Sequence, residues 1–245
     1  MTPTPRKILV VDVGGTHVKV ALTGRAEIWK LPSSDELTAR RMVRDVRRAV
    51  GGEKYDVVSI GYPGVVLHGR PALEPYNLGD GWVKFDFGKA FGKPARVIND
   101  AAMQALGSYR RGRMLFLGIG TGLGSAMIVD GVVQAMELAH LPFKNGRTYE
   151  DYAGKRGRKR LGDKKWRKNV FEILACLREA LEPDDVVVGG GNAVHLGVLP
   201  SGVRLGSNAN AFVGGARLWQ PAALQLQQLQ KDELIRSNPR RASRA

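Results

Sequence analysis

A chain of 245 residues, 43% of them apolar, is long enough to bury a sizeable core as one large domain or two modest ones. Its single cysteine, Cys176, excludes an internal disulfide framework. No run of eighteen apolar residues is present, and the start, Met1-Thr2-Pro3-Thr4-Pro5, lacks a signal-peptide core, so a cytoplasmic protein without a membrane anchor is expected. A formal net charge of +15 attracts polyanions, whether nucleic acid, an acidic membrane surface or inorganic polyphosphate, and does not by its sign choose among them.

In chain order, the apolar run Ile8-Leu9-Val10 enters Val11-Asp12-Val13-Gly14-Gly15-Thr16-His17-Val18-Lys19, a strand, a glycine turn and a second strand. Residues 35–50 have helical spacing that puts Arg40, Arg44, Arg47 and Arg48 on one side. Residues 55–61 form a short buried strand that leads into the turn Gly61-Tyr62-Pro63-Gly64. Residues 79–92 are loop-rich, with Trp82 and Phe85 as anchors. A strand at 95–98 ends at Asn99-Asp100, and a helix at 101–109 follows. Residues 114–129 repeat the first pattern as strand, Gly118-Ile119-Gly120-Thr121-Gly122-Leu123-Gly124 turn, strand. A helix at 166–181 contains Cys176, expected as a buried core thiol. A strand at 185–188 runs into Gly189-Gly190-Gly191, and a last helix covers about 209–218. The tail, 223–245, is Gln-rich and then basic, with no sustained apolar period, and is expected to be flexible.

Alternating strands and helices imply an α/β fold. Paired glycines let backbone N–H groups approach a phosphate closely, and an Asp at the end of the preceding strand suits a hydrated Mg²⁺ beside it. Two such turns, about a hundred residues apart, have the form of a clamp on one phosphate chain.

On those two turns the chain resembles the ROK family of sugar kinases and repressors, within the actin-like ATPase superfamily. The likeness covers about residues 6–220. It implies a two-lobed actin-like (ribonuclease H-like) α/β fold with a cleft between the lobes. The N-terminal lobe is expected over 1–110 and the C-terminal lobe over 111–208, with the helix near 209–220 packing back on the first. Asp12, Gly14, Gly15, Thr16 and Lys19 would then form the first phosphate motif, with Mg²⁺ on Asp12 through water. Gly120, Thr121, Gly122 and Gly124 would form the second. Gly189, Gly190 and Gly191 resemble the nucleotide motif.

The same resemblance makes Asp100 the general base of an Asn-Asp signature, with Asn99 contacting the sugar. A helix N-cap is the competing role for Asp100. Glu137-Leu138-Ala139-His140 resembles the family's Glu-x-Gly-His element, Ala139 standing for glycine. Glu150 and Asn77 match further sugar contacts. The cysteines of the family's zinc segment are absent, so no structural zinc is expected on His140. That absence and the run from Glu137 to Tyr152 look most like the polyphosphate glucokinase subgroup. The run at 155–168, with nine basic residues and one acidic, would serve as a track for polyphosphate, the Arg40 face and Arg110, Arg111 and Arg113 adding to its field.

These features point to a polyphosphate-dependent glucokinase, with ATP as a further donor. An ATP-dependent ROK hexokinase acting on glucose, mannose or an amino sugar is the alternative. A sugar-responsive DNA-binding regulator is a weaker one, because the first strand begins too early for a preceding helix-turn-helix. No specific nucleic acid and no membrane are expected as partners. Relatives imply a homodimer.

Overall fold

The computed structural model describes residues 6–220, and the tail expected over 223–245 lies outside them. The chain divides into two compact units. One takes the residues up to Asn99 together with those from Gly215 onward, and the other spans Asp100–Gly214.

In the first unit, β1 (Ile8–Val13) and β2 (His17–Leu22) form an antiparallel hairpin with Asp12 opposite Lys19. β3 (Ile28–Pro32) extends it. Helix α1 (Ala39–Val50) crosses to β4 (Val57–Tyr62), which runs parallel to β1. Two-residue strands β5 (Val66–Leu67) and β6 (Arg70–Pro71) make a side ribbon. Short α2 (Phe87–Phe91) then leads into β7 (Ala95–Asn99), parallel to β4. The sheet order is β3-β2-β1-β4-β7. Every residue of β1 and β4 is buried, the signature of central strands covered on both faces. Met42, Val43, Val46 and Val50 turn one stripe of α1 into that core, beside the fully buried Trp82.

The second unit opens with α3 (Asp100–Ser108) and repeats the plan. β8 (Arg113–Ile119), β9 (Leu123–Val129) and β10 (Val132–Met136) form an antiparallel meander. Helices α4 (Tyr149–Ala153) and α5 (Lys155–Leu181) cross to β11 (Asp185–Gly189), parallel to β8. A 3₁₀ turn at Ala193–Leu196, β12 (Val203–Leu205) and the part of α6 (Asn210–Arg217) up to Gly214 complete it. The order β10-β9-β8-β11-β12 matches the first sheet strand for strand. Each glycine turn therefore leaves the C-terminal end of a central strand, the end where α/β sheets bind ligands.

Several expectations are corrected. Helix α1 starts at Ala39 rather than 35, because the Thr38 hydroxyl accepts the Arg41 N–H at 3.3 Å and caps it there. The basic run is itself helical: α5 begins at Lys155, broken only at Gly162 (φ 72°), and not at 166. Cys176 is exposed, not buried. The buried stripe of α5 is Trp166, Val170, Ile173, Leu174 and Leu177, and residue 176 lies off that face. The division between units falls at Asn99/Asp100 rather than near 110, because α3 packs on β8 and β9 of the second sheet. Among the described residues, no helix is long and apolar enough to cross a membrane.

Helices α3 and α6 meet backbone to backbone, and a methyl group on Gly214 would run into the Met103 carbonyl. Alanine at a helical glycine ordinarily gains about 1 kcal/mol, but overpacking of this kind costs about 1–3 kcal/mol. Gly214→Ala should therefore lower the urea midpoint with the slope unchanged. A midpoint at or above the wild-type value would contradict that close crossing.

Candidate active site

Asp12, the last residue but one of β1, is the one charged residue that is buried among the described residues, 8% exposed. Lys19, across the hairpin, brings its Nζ to 4.0 Å from Asp12 Oδ2. Burial pushes the Asp12 carboxyl above the usual carboxylate range, and the Lys19 charge only partly offsets this. Past Asp12 the backbone turns outward. The Gly14 N–H donates to the His17 carbonyl at 3.1 Å, the Thr16 carbonyl accepts the Ser33 N–H at 3.1 Å, and Gly15, Thr16 and His17 are exposed.

The structure brings Asn77 to this turn. A methyl group on Gly15 would stand 3.5 Å from the Asn77 Cβ. The loop that carries Asn77 is pinned from below. The Trp82 indole N–H donates to the Gly79 carbonyl at 2.7 Å, the Glu74 carboxylate accepts the Trp82 N–H at 2.9 Å, and the Tyr62 hydroxyl donates to the Leu73 carbonyl at 2.7 Å. Asn99, at the end of β7, donates from Nδ2 to the Gly64 carbonyl at 3.1 Å.

In the second unit the site grows around the β8–β9 turn. The Glu150 carboxylate accepts the Leu123 N–H at 3.1 Å, and it reaches there only because residue 122 has no side chain: a methyl group on Gly122 would collide with Oε2. The first N–H of α5, from Lys155, is shared between the Gly120 and Thr121 carbonyls at 3.1 and 3.2 Å. Asn192 closes the third side. Its Nδ2 donates to the Gly120 carbonyl at 2.7 Å and its backbone N–H to the Ile119 carbonyl at 2.9 Å. The approach of this loop depends on Gly190 (φ 85°), whose Cβ would meet the Ile119 backbone. Gly189 packs against the Phe116 ring, while Gly191 has open space around it.

The Glu137–His140 segment is tied to β9 through Ser125, whose hydroxyl accepts the Leu138 N–H at 3.1 Å. Ala139 is buried, and its carbonyl accepts the Glu150 N–H at 3.0 Å. Glu137 and His140 are exposed, and Glu150 is half-buried. Partial desolvation raises the Glu137 carboxyl above its usual range, His140 pulls it down and Glu150 pushes it up, so the three side chains lie within electrostatic reach of one another. Asp100 is the first residue of α3, half-buried, its Oδ1 accepting the Ala101 N–H at 2.8 Å. Ala101 is seated on Gly124, so Asp100 stands beside the second turn.

The basic run sorts into two sets. Arg158 is engaged internally, by Asp163 (Nε to Oδ1 2.8 Å), by Asn192 (Nη1 to Oδ1 3.3 Å) and by the Trp166 ring. Arg160 donates to the Asp151 carbonyl at 2.9 Å, and Arg167 to the Asp163 carbonyl at 3.3 Å. Lys155, Arg156, Lys159, Lys164, Lys165 and Lys168 face solvent. Sequence inspection missed the bracing role of Asn192 and Arg158. A polar residue directly after a glycine run was the available signal for the first, and nothing local marked the second.

The ROK family profile matches residues 8–137. A polyphosphate glucokinase from Mycobacterium tuberculosis is 28% identical, covering 77% of this chain and 78% of its own length. The crystal structure of an inorganic polyphosphate/ATP-glucomannokinase from Arthrobacter sp. strain KM superposes with a TM-score of 0.75 at 25% identity, covering 90% of this chain and 99% of that one. A glucokinase from Streptomyces griseus, solved with glucose and AMPPNP, shares the fold (TM-score 0.67, 20% identity, 86% of this chain and 98% of that one). The fold is that of the actin-like ATPase superfamily, the α/β class that the alternating elements imply.

Because the folded state raises the Asp12 pKa, its protonated form is favoured by folding. That stabilisation is full at acid pH and is lost as pH rises through the raised pKa. Asp12→Asn should melt higher than wild type at pH 8, and the gap should close as pH falls toward 3. Equal melting temperatures at pH 8 would contradict a buried carboxylate that Lys19 only partly compensates.

Proposed function

This chain belongs to the ROK family, and we propose that it is a cytoplasmic glucokinase that moves the terminal phosphoryl group of inorganic polyphosphate to the 6-hydroxyl of glucose. The observation that carries the donor assignment is the seating of α5 on the second turn. The Lys155 N–H bonds the Gly120 and Thr121 carbonyls, and the solvent-facing cations of the basic run lead away from that point. A linear polyphosphate carries charge at every unit, and a row of cations starting at the phosphate turn suits it. The names of the mycobacterial and Arthrobacter relatives point the same way.

Phosphoryl transfer asks for an aligned acceptor, removal of its proton and neutralised charge on the moving group. Asp100 would take the proton from the sugar hydroxyl, the Ala101 N–H fixing the orientation of its carboxylate. Glu137, His140 and Glu150, with Asn77 and Asn99, would hydrogen-bond the sugar hydroxyls, and an epimer that left one of these unpaired would be rejected. Gly14, Gly15, Thr16 and Lys19 would hold phosphate from the first turn, and Gly120, Thr121, Gly122 and Gly124 from the second. Mg²⁺ fits Asp12: the donor set is one buried carboxylate with a raised pKa, and this ion takes one or two carboxylates and keeps water and phosphate as its other ligands. Bound there, it would neutralise charge on the donor phosphates.

ATP is the second donor in this reading, with adenosine laid against Gly189, Gly190 and Gly191, where Gly191 has open space around it; the name of the Arthrobacter relative includes both donors. Glucose 6-phosphate formation with each donor across a salt series tests the assignment. kcat/KM for polyphosphate should fall steeply with salt, and Lys159→Gln/Lys164→Gln/Lys165→Gln should flatten that slope while sparing ATP. Asp100→Ala should lower kcat with either donor by about 10²–10⁴-fold and leave glucose binding largely intact. A polyphosphate activity indifferent to salt, or near-normal turnover in Asp100→Ala, would overturn the respective assignment.

A further inference from the structure

The first unit carries a second cationic feature that this mechanism does not use. A cavity of about 690 Å³ opens on the face made by α1 and α2, and its size is that of small-molecule sites. Its floor is apolar, formed by Val43, Phe85 and Ala90. Arg40, Arg44 and Arg47 line one side, spaced so that one face of α1 presents all three, and Lys84 and Lys89 line the other.

Acidic groups near the rim are already engaged. The Asp86 carboxylate accepts the Lys89 N–H at 2.9 Å as the cap of α2. Asp45, just outside, takes Arg44 at 3.1 Å, with Arg41 and Arg48 at 3.7 and 3.6 Å. Among the described residues, Arg40, Lys84 and Lys89 form no ion pair. Arg47 donates to the Ala90 carbonyl at 3.2 Å, which lays its guanidinium along the groove. Lys84 holds a left-handed backbone (φ 62°), a conformation uncommon for lysine.

The groove is separate from the phosphate turn of its own unit. Helix α2 feeds the N-terminal end of β7, whereas Asp12 and Asn99 lie at the C-terminal ends of β1 and β7. Five cations alone would suit any polyanion, but a bare phosphate chain has nothing to set against an apolar floor. A half-buried phenylalanine, its ring held edge-on by Phe87 at 4.9 Å between centroids, offers a stacking surface. A phosphate on arginines beside a planar base on an aromatic ring is how nucleotides are commonly held.

We propose that the α1–α2 groove is a nucleotide-binding site, with the base against Phe85 and the phosphate on Arg40 and Arg44. The site goes beyond the kinase reading and does not depend on it.

Equilibrium dialysis of the full chain with labelled AMP tests it; the measurement involves no turnover, and AMP held at the Gly189–Gly191 loop is told apart from AMP in the groove by the Arg40, Arg44 and Phe85 variants, which leave that loop unchanged. Wild type should bind AMP. Arg40→Glu/Arg44→Glu, both exposed positions whose folding is checked by circular dichroism, should weaken binding by about tenfold or more. Phe85→Leu, which keeps the packing and removes the ring, should weaken AMP several-fold and leave inorganic tripolyphosphate unaffected. Ribose 5-phosphate, which lacks the base, should compete poorly. Absence of AMP binding in wild type, or AMP binding untouched by the double charge reversal, would overturn the site. Displacement by tripolyphosphate together with indifference to Phe85→Leu would make the groove a polyanion rim instead. Affinity that climbs with the length of an oligonucleotide would make it a nucleic-acid surface. Failure of glucose phosphorylation would leave all of these outcomes readable.

Discussion

Two peptide carbonyls and one N–H in the β8–β9 turn organise the second unit. The Gly120 and Thr121 carbonyls receive the start of α5, the Gly120 carbonyl also receives Asn192, and the Leu123 N–H is taken by Glu150. Two segments far apart in sequence, the α4–α5 junction with Glu150 and Lys155 and the loop of Asn192, are therefore fixed to one bend through backbone groups that any residue possesses. What cannot be replaced is the absence of side chains at Gly122 and Gly190. With a methyl group at either position the incoming carboxylate or loop would be pushed away, and the constellation would lose its reference point. The Glu150 carboxylate, proposed above for the sugar, and the cationic helix, proposed for phosphate, are held at the same place by the same constraint.

The two sheets repeat one topology, yet their turns have different chemistry. In the first, the strand ends in a buried acid whose charge is only partly matched by Lys19, an arrangement suited to a divalent cation. In the second, the turn carries no acid of its own; a helix N-terminus meets its carbonyls, and six cations then face solvent. One turn would bring negative charge to hold a metal, and the other positive charge to hold the phosphates directly. A duplicated scaffold can supply both halves of charge neutralisation because the side chains around each bend are free to diverge while the strands stay fixed.

Both glycine hairpins, the buried central strands and the Asn99-Asp100 junction were legible in the sequence, because each is written in adjacent residues: an apolar run, then glycine or a polar pair. The resemblance groups Glu137, His140 and Glu150, and in the fold the His140 and Glu150 charges act on the Glu137 carboxyl. Less local features were hidden. A charged run has no apolar period, so the first turns of α5 did not look helical, although Trp166 and its buried stripe revealed the rest. Cys176 sits among apolar neighbours in sequence but a hundred degrees of helix turns it away from them. Arg158 was grouped with the solvent-facing cations, and only the fold shows it spent on Asp163 and Asn192. The break between units moved to Asn99/Asp100 because packing, which no local pattern records, assigns α3 to the second sheet.

If the bare backbone at Gly122 gathers the sugar and donor groups, one methyl group there must disturb both. The direct test is steady-state kinetics of Gly122→Ala against Gly131→Ala, the latter a glycine of positive φ in the same unit with nothing within 4 Å of its Cβ. The account predicts that Gly122→Ala raises KM for glucose and for polyphosphate together and lowers kcat/KM about a hundredfold, while Gly131→Ala loses stability alone. Two variants with the same kinetics as wild type, differing only in melting temperature, would contradict it.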